Sequence, residues 1–550
     1  MHNPQDIANG FNQYFATVGS SIAAKVSGNT TSFNDFLKQS SNMSFFLDPV
    51  SSVEVESVIK HMSQKTSKDI YGHSMTLIKS IYTLILYPLT HIVNCSFHSG
   101  TFPKAFTTSQ IKPLYKKGDK SLFSNYRPVS LLPQLGKILE KCYEVRLTSF
   151  LNSSNFYADC QYGFRPGLST THAIADFVET VSRSIDRRKI GLAIYIDLEK
   201  AFDSVPHDIL LKKLEKAGIR GIPLFWLKSY LIDRPQTVNI LDVTSDAVNV
   251  NYGVVQGSVL GPVLFAVYIN DISSVFNHGE IFLYADDTTL YCEGNNQIDV
   301  DTKAKCLIQK ATCWFDSSRV SVNARKCQYM VFNNKVDRHC PIFIKEHEIQ
   351  RVNVFKFIGL YIDDSLLFKH HVHQLIARSK TALFILSTLK HLISTHCLLL
   401  VYYAFFQSVI DYGCEIFGHR LKTSCILIES VQIKAMKITF GLKYDVNRVM
   451  KIHQILEFSS LVKYKTYQIM YKAHHRDLPK NLLSNFRSNR DTNSRYSKFN
   501  CNFKVEQCNS QILLTSMSCC GVRLWNSLPQ PVKECTSLSV FKRNVKKLLS

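Results

Sequence analysis

The chain has 550 residues, of which 45% are hydrophobic and 11% aromatic. This composition supports a sizeable buried core and excludes a wholly disordered chain, while the length predicts several domains or one large multi-lobed enzyme. Lysine and arginine together number 65 against 43 aspartates and glutamates, which gives a formal net charge of +22. The surface is therefore expected to attract a polyanion, either nucleic acid or an anionic membrane.

The targeting and cysteine signals favour an intracellular protein. The first residues, MHNPQDIANGFNQYF, lack the charged-then-apolar order of a secretory signal, so the 16 cysteines are expected to be reduced. No C-x-x-C pair occurs, which favours ordinary thiols over a structural zinc site. The longest apolar run, 397–406, is about half of a membrane span, and Pro88 and His91 are expected to break the run 80–94. No membrane partner is expected.

Hydrophobic spacing along the chain predicts connected lobes of different classes. Residues 1–105 carry apolar residues at three- and four-residue spacing, as in SSVEVESVIKHM, and predict helices. Residues 106–185 begin basic and turn-rich and continue into a helical pattern. In 186–365 short apolar runs alternate with helices, which predicts a mixed sheet covered by helices. Residues 366–476 are helical again, and 477–550 form a tail.

Carboxylates stand at the ends of predicted strands. The run GLAIYI (191–196) is apolar on both faces, as in a central buried strand, and Asp197 follows it. The runs IFLYA and TTLYC are separated by Asp286 and Asp287, which predicts a tight hairpin with both acids at its tip. Taken singly, Asp197 could cap the following helix, and Asp-Asp is ordinary turn chemistry.

Considered together, the acids predict a metal site. Two adjacent carboxylates at a hairpin tip and a third at a neighbouring strand end can hold two Mg²⁺ ions about 3.5–4 Å apart. Such an ion pair activates a 3′-hydroxyl and stabilises the pyrophosphate leaving group in nucleotidyl transfer. Nucleic acid would then be the polyanion that the positive charge attracts.

An ordered series of motifs resembles the reverse transcriptases of non-LTR (LINE-type) retrotransposons of the jockey, CR1 and RTE kind. In chain order the motifs are NYRPVSLL (125–132), QYGFRPGLSTTHAI (161–174), IDLEKAFDSVPH (196–207), GVVQGSVLGPVLFAVYINDI (253–272), YADD (284–287), SVNARKCQYMVF (321–332) and FKFIGLYID (355–363). The resemblance is strong over about 105–365. It is weaker at FNQYF near the start and at GVRLWNSLP (521–529).

The resemblance implies an α+β right-hand polymerase. Fingers would occupy 106–185, and the palm, with an antiparallel sheet carrying the YADD hairpin, would occupy 186–365. A helical thumb would follow at 366–476. A helical N-terminal extension (1–105) and a C-terminal tail region (477–550) would flank them.

The resemblance also implies the catalytic centre and the nucleotide pocket. Its metal-binding triad would hold two Mg²⁺ ions, with Mn²⁺ as a substitute, and would consist of Asp197, Asp286 and Asp287. Phe202 would lie under the incoming sugar and exclude a 2′-hydroxyl, or else be a core aromatic residue. Gln256 matches a nucleotide-contacting glutamine, and Gly257 and Gly261 would let backbone approach the substrate. A glycine-flanked turn without substrate is the alternative.

Basic residues receive further roles from the resemblance. Lys326 matches a lysine that protonates the leaving pyrophosphate, although a lone lysine could be a solvated surface group. Arg127 would meet the incoming triphosphate and Arg165 the template, with structural ion pairs as the alternative. The YKKGDK segment would place three lysines beside template phosphates, unless it is a solvated charge run: Lys116, Lys117 and Lys120.

Two features of the helical region have competing interpretations. Tyr464, Tyr467 and Tyr471 share one helix face, which could ride in a minor groove as a thumb surface or pack in the core. The HHVH run at 370–373 could bind a metal, but a polar helix start is favoured because no partner cluster accompanies it.

The expected function is RNA-directed DNA polymerisation, with an RNA template, a DNA primer and deoxynucleoside triphosphates as partners. The roughly one hundred residues before the motifs are too few for an endonuclease, so that activity would come from elsewhere. The expected location is a cytoplasmic ribonucleoprotein and the nucleus. The alternatives are a catalytically inactive nucleic-acid-binding remnant and a maturase-like or telomerase-like polymerase.

Overall fold

The computed structural model describes residues 3–26, 33–36, 41–277, 279–333, 341–441, 445–488 and 501–549. Helices and strands are mixed along the described chain, which makes the fold α+β. The helices are α1 (Pro4–Lys25), α2 (Ser52–His61), α3 (Met75–Ser99), α4 (Gln134–Ser153), α5 (Thr170–Asp186), α6 (His207–Lys216), α7 (Ile222–Leu231), α8 (Gly261–Ile269), α9 (Gln297–Ser317), α10 (Lys369–Leu389), α11 (Thr395–Val401), α12 (Ser408–Asp411), α13 (Cys414–Phe417), α14 (Lys422–Phe440), α15 (Val446–Ile452), α16 (Phe458–His474), α17 (Lys480–Leu483), α18 (Gln511–Leu514), α19 (Val522–Asn526), α20 (Gln530–Lys533) and α21 (Leu538–Leu549). The strands are β1 (Ser109–Tyr115), β2 (Tyr126–Leu131), β3 (Ile190–Ile196), β4 (Arg234–Ile240), β5 (Val243–Thr244), β6 (Val248–Val250), β7 (Ile281–Tyr284), β8 (Asp287–Gly294), β9 (Gln328–Phe332), β10 (Phe343–Ile344), β11 (His347–Glu348), β12 (Gln350–Arg351), β13 (Val354–Phe357) and β14 (Leu360–Asp363).

A five-stranded central sheet has the order β12-β9-β3-β8-β7, with β3 in the middle. Strand β3 pairs antiparallel with β8 and β9, whereas the short β12 pairs parallel with β9. The sheet is therefore mixed at that edge rather than wholly antiparallel. Leu192 and Ile194 face one hydrophobic core, and Ala193 and Tyr195 face another. This burial on both faces explains why the run is apolar throughout.

A second sheet is built on the β1–β2 hairpin. Strand β4 pairs parallel with β1, and β5 and β6 pair antiparallel with β4. Helix α1 packs on this sheet, where Phe11 and Phe15 join Ile111 and Val238 in a small core. Residues 234–250, which the motif order places with the palm, thus share a sheet with the segment expected to form the fingers.

Helix α3 continues through Pro88, so the expectation that this proline breaks the run is wrong. Proline removes one intrahelical hydrogen bond, but Pro88 lies on the exposed side, where water can satisfy the freed carbonyl. Among the described residues, α3 is the one helix long and apolar enough to cross a membrane by length and composition. A single such helix is weak evidence for a membrane span.

The C-terminal tail docks on α5, the helix that packs against β3 and β7. Glu179 of α5 accepts a hydrogen bond from Ser518 Oγ, and Arg183 pairs with Glu506 at 2.8 Å. Asp186 accepts hydrogen bonds of 2.7 Å from the backbone N–H groups of Asn509 and Ser510. The tail is therefore part of the same folded body as the central sheet.

The tyrosines of α16 lie mainly in the interior. Tyr467 is 6% exposed and Tyr471 is 3% exposed, and both belong to the core beside α5 and the tail. Tyr464 is partly buried against the same core. Core packing is therefore the interpretation that the structure supports for this tyrosine stripe.

Candidate active site

Asp197 follows the last residue of β3, and its backbone is held from both directions. Its N–H contacts Cys327 Sγ at 3.4 Å, and its carbonyl oxygen accepts a hydrogen bond of 2.8 Å from Asn323 N–H. Lys326 Nζ lies 3.5 Å from Asp197 Oδ2, with both side chains about half exposed. The lysine of NARKC thus faces the carboxylate that ends the central strand.

The hairpin of β7 and β8 brings the other two acids to the same end of the sheet. Tyr284 pairs with Asp287, so the turn consists of Ala285 and Asp286, and Asp287 opens β8 instead of lying at the tip. Ile196 pairs with Thr288 across β3 and β8, which puts Asp197 beside Asp287.

The segment before α5 holds this hairpin in place. Tyr162 N–H donates to the Leu283 carbonyl at 2.9 Å, and Leu283 N–H donates to the Cys160 carbonyl at 2.9 Å. A Cβ on Gly163 would collide with the backbone nitrogen of Ala285 in the turn. Gly163, the glycine of QYGFRPG, could not be singled out from the sequence, because its requirement depends on a contact across the fold.

The carboxylates repel one another. Neighbouring protein removes part of the hydration of Asp287, and this desolvation, followed by the charges of Asp286 and Asp197, raises its pKa to about 6. Desolvation also raises the pKa of Asp286; the charge of Asp197 adds to the rise, and Arg127 and Lys116 oppose it. Both side chains still reach solvent at the open face of the hairpin.

Basic side chains from three segments surround these acids. Lys116 follows β1, Arg127 lies in β2, and Lys326 precedes β9. Desolvation and then the charges of Arg127 and Lys326 lower the pKa of Lys116, while Asp197 opposes the change. Lys116 therefore lies within the charge cluster at the carboxylates, whereas Lys120 lies over the ring of Tyr115 at 5.6 Å.

The donor chemistry of this site suits a hard divalent cation. Asp197, Asp286 and Asp287 offer carboxylate oxygens, the ligand type that Mg²⁺ prefers, and their mutual repulsion would be relieved by bound positive charge. Within the described ranges, no group of three or more His, Cys, Asp or Glu side chains is already arranged as a metal cluster. The HHVH run instead opens α10, with His371 buried against Phe417.

Phe202 lies at the edge of the hydrophobic core and is partly buried against it. Its ring stacks on Phe265 with centroids 4.4 Å apart and meets the edge of Phe164 at 6.1 Å, yet it remains partly exposed. Its carbonyl accepts a hydrogen bond of 2.8 Å from Val254 N–H. Gln256 Nε2 donates to Asp203 Oδ1 at 2.9 Å. Phe202 and Gln256 thus stand on two segments that are bonded together.

The two glycines near Gln256 allow close contacts within the protein. Gly257 has φ +106°, and a Cβ there would lie 2.8 Å from the Ser130 carbonyl oxygen at the end of β2. A Cβ on Gly261 would meet Ser258 Oγ at 2.7 Å. Internal packing therefore accounts for both glycines without any substrate.

Arg165 makes contacts inside the protein. Its Nη1 donates to the carbonyls of Ala158 and Gln161 at 2.9 and 3.0 Å, and its guanidinium lies 5.1 Å from the ring of Tyr157. These contacts tie the loop before α5 together. The alternative role for Arg165 was a structural ion pair. Its contacts are structural, but the partners are carbonyl groups and an aromatic ring rather than an acid.

Before any relative is considered, the geometry defines a divalent-cation type of site: acids at adjacent strand ends with basic side chains near them. Residues 115–362 match the family described as reverse transcriptase (RNA-dependent DNA polymerase). This match confirms that the motifs resemble those of reverse transcriptases.

Three curated relatives come from mobile elements of Drosophila melanogaster. The probable RNA-directed DNA polymerase from transposon X-element is 26% identical over 440 residues, covering 78% of this chain and 48% of the relative. The RNA-directed DNA polymerase from mobile element jockey is 26% identical over 427 residues, covering 74% and 46%. The probable RNA-directed DNA polymerase from transposon BS is 27% identical over 470 residues, covering 82% and 51%. The chain spans about half the length of these relatives.

Proposed function

We propose that the chain is an RNA-directed DNA polymerase of a non-LTR retrotransposon, extending a DNA 3′-hydroxyl on an RNA template. The observation that carries the proposal is the meeting of Asp197, Asp286 and Asp287 at one end of the central sheet, inside the segment that matches the reverse transcriptase family. Deoxynucleoside triphosphates are the proposed substrates.

The aspartates are the proposed ligands of two Mg²⁺ ions, or of Mn²⁺ in their place. When bound, such ions lower the pKa of the attacking hydroxyl and stabilise charge on the leaving pyrophosphate. Lys326 donates a proton to the leaving group, a role supported by its position 3.5 Å from Asp197. Arg127 and Lys116 bind the triphosphate, a role supported by their exposure and by the effect of their charges on Asp286.

The pocket beside these groups selects the nucleotide. Phe202 blocks a 2′-hydroxyl with its ring, which Phe265 supports by stacking against it. Gln256 contacts the nucleotide, with Gly257 keeping that loop against β2. The exposed Lys117 and Lys120 in the β1–β2 loop contact the template, and Arg165 shapes the template-side loop.

We further propose a division into fingers (106–185), palm (186–365), thumb (366–476) and flanking extensions (1–105 and 477–550). The division is supported by the two separate sheets and the helical region that follows β14. The pairing of β4 with β1 adds residues 234–250 to the fingers sheet. We also propose that the chain works in a cytoplasmic ribonucleoprotein and in the nucleus.

Primer extension on an RNA template tests this function directly. The purified chain should incorporate deoxynucleotides with Mg²⁺, and Asp286→Ala should lower the rate at least about a hundredfold, because a metal ligand is lost. Asp208→Ala is the matched control, since Asp208 is exposed on α6 and weakly paired to Arg319 at 3.4 Å. A folded wild-type chain that binds primer–template without extending it would identify an inactive remnant instead.

A further inference from the structure

A small polar cavity lies beside Asp203 and Gln256. Its volume is about 50 Å³, and it is lined by parts of α1, the β1–β2 hairpin, the turn after β3, β4 and the loop before α8. Polar side chains in its wall include Asp203, His207, Arg234, Gln236 and Gln256. A cavity of this size is far below the few hundred Å³ of a typical ligand pocket, so its polar groups serve the protein's own geometry.

Asp203 is clamped into this cavity by its backbone. Its N–H donates to the Lys200 carbonyl at 2.8 Å. A Cβ on either Gly19 or Gly253 would collide with the Asp203 carbonyl oxygen, so α1 and the loop before α8 both press against this residue. The backbone of Asp203 is consequently held by its own turn, by α1 and by the loop before α8.

The carboxyl group makes one hydrogen bond, to a proposed nucleotide-contacting residue. Gln256 Nε2 donates to Asp203 Oδ1 at 2.9 Å. Asp203 Oδ2 is buried and has no hydrogen-bond partner among the described residues, and neither do His207 Nδ1 or Arg234 Nε in the same cavity wall. A buried carboxylate oxygen without a partner is costly, so packing alone gives no reason for an acid here.

The chemistry of the two side chains decides which way the amide points. An ionised carboxylate accepts hydrogen bonds and cannot donate them, whereas a glutamine amide has a donor end and an acceptor end. With Nε2 held by Asp203, the Oε1 atom of Gln256 is turned to the other side. If the amide were flipped, Gln256 Oε1 would face Asp203 Oδ1, and the two oxygens would repel each other.

We propose that Asp203 is a positioning residue of the nucleotide pocket, which fixes the amide of Gln256 so that its Oε1 is presented as an acceptor to the sugar of the incoming nucleotide. This inference rests on the proposed polymerase function. Two backbone bonds reinforce the arrangement: Val254 N–H to the Phe202 carbonyl and Gly253 N–H to the Val205 carbonyl, both 2.8 Å. These bonds fix the position of Phe202, which would exclude the ribose hydroxyl, relative to Gln256, which would contact the sugar.

The test uses Asp203→Asn, which keeps the volume of the side chain but can donate as well as accept. The amide of Gln256 is then free to flip, so KM for the deoxynucleotide should rise about tenfold while kcat changes by less than about threefold. Melting temperature and primer–template affinity, measured on the same preparations, should stay near wild type. A wild-type chain that does not extend primers would refute the polymerase proposal itself, whereas an active one leaves the Asp203 inference to be decided.

A double-mutant cycle decides whether Asp203 acts through Gln256. Gln256→Ala should raise KM for the nucleotide to a similar extent, and adding Asp203→Asn to it should change KM no further. Multiplying effects would overturn the inference, because Asp203 would then act independently. So would a single Asp203→Asn variant with the KM of wild type.

The pH dependence of KM for the nucleotide distinguishes an orienting role of Asp203 from a merely structural one. Desolvation raises the pKa of Asp203 to about 6, against the opposing effects of Lys200 and the Gln256 hydrogen bond. Other titratable or charged groups facing this region are Tyr14 of α1, Glu199, His207 of α6 and Arg234 of β4. A protonated Asp203 can donate and release the amide, so wild-type KM should rise as pH falls through about 6.

The ratio of variant to wild-type KM at each pH isolates this effect from protonation elsewhere in the site. The ratio should be about ten at pH 8 and approach one at pH 5. At pH 5 the protonated Asp203 of the wild type no longer orients the Gln256 amide, and the variant does not orient it at any pH. A ratio that is constant across this range would refute the orienting role of the carboxylate.

Discussion

At the scale of single residues, the charge of Asp287 works against folding in the absence of cations. Its folded pKa of about 6 stands above the ordinary value of 3.8, so the folded state holds the proton more tightly than the unfolded state. Ionisation between those values therefore lowers the free energy of unfolding as pH rises, and the loss is complete above about pH 6. A carboxylate held where its ionised form destabilises the fold is typical of a functional site.

Asp287→Asn should therefore stabilise the metal-free protein. We expect the free energy of unfolding at pH 7.5 to rise by on the order of 1 kcal/mol, since solvent at the open face screens part of the repulsion. At pH 4 the two proteins should differ little. Denaturant unfolding in EDTA measures both values, and Mg²⁺ should raise the stability of the wild type more than that of the variant. Lower stability of Asp287→Asn at pH 7.5 would contradict the electrostatic account.

Phe202 provides a second prediction at this scale. Phe202→Ala opens space beside the sugar, so ribonucleotide incorporation relative to deoxynucleotide incorporation should rise at least about tenfold. Phe202→Tyr keeps the bulk of the ring and should retain discrimination. Single-nucleotide extension with matched ribo- and deoxyribonucleotides gives the ratio. If it is unchanged in Phe202→Ala, the ring belongs to the core beside Phe265 and does not contact the sugar.

At the scale of elements, the β7–β8 hairpin depends on the segment that runs beside it. Residues 160–163 are bonded to β7 through Leu283, and Gly163 has no space for a side chain next to the turn that carries Asp286. Gly163→Ala should displace this turn and lower the extension rate at least about tenfold, because reacting groups tolerate little misplacement.

Gly167→Ala is the matched control for that variant. A Cβ on Gly167 meets nothing within 4 Å, although its φ of +77° adds strain of about 1 kcal/mol. The control should thus lose some stability and keep its activity. Extension rates and melting temperatures of both variants separate strain from collision, and equal losses of activity would show that the collision with Ala285 is not the cause of the loss in Gly163→Ala.

The elements also show which parts of the fold a sequence can predict. Strand β3 was predictable because Leu192 and Tyr195 face separate cores, which leaves a continuous apolar run ending at Asp197. The parallel pairing of β1 with β4 was not, since it joins residues 109–111 to 236–238 with no local signal. The role of Asp203 could not be predicted either. Its place next to Phe202 was visible in the sequence, but its hydrogen bond to Gln256 depends on the tertiary fold.

At the scale of the whole molecule, the lysines that contribute to the net charge of +22 lie in different surroundings. Lys116 lies in the charge cluster of the carboxylates, while the neighbouring Lys117 and Lys120 are exposed in the β1–β2 loop. The sequence pattern groups these lysines as one template-binding run. Because Lys116 alone lies among the charges of the carboxylates, we propose that it binds the nucleotide and that Lys117 and Lys120 bind the template.

Salt titration of primer–template binding can detect that boundary. Contacts to phosphates release counterions, so wild-type affinity should fall steeply with salt and depend little on template sequence. Lys117→Ala combined with Lys120→Ala should reduce the slope of log affinity against log salt by up to about two. Lys116→Ala should leave that slope nearly unchanged and raise KM for the nucleotide instead. The measurement requires several salt concentrations and two unrelated templates. A flat wild-type slope would refute phosphate-dominated binding, and a slope reduced by Lys116→Ala alone would assign that lysine to the template.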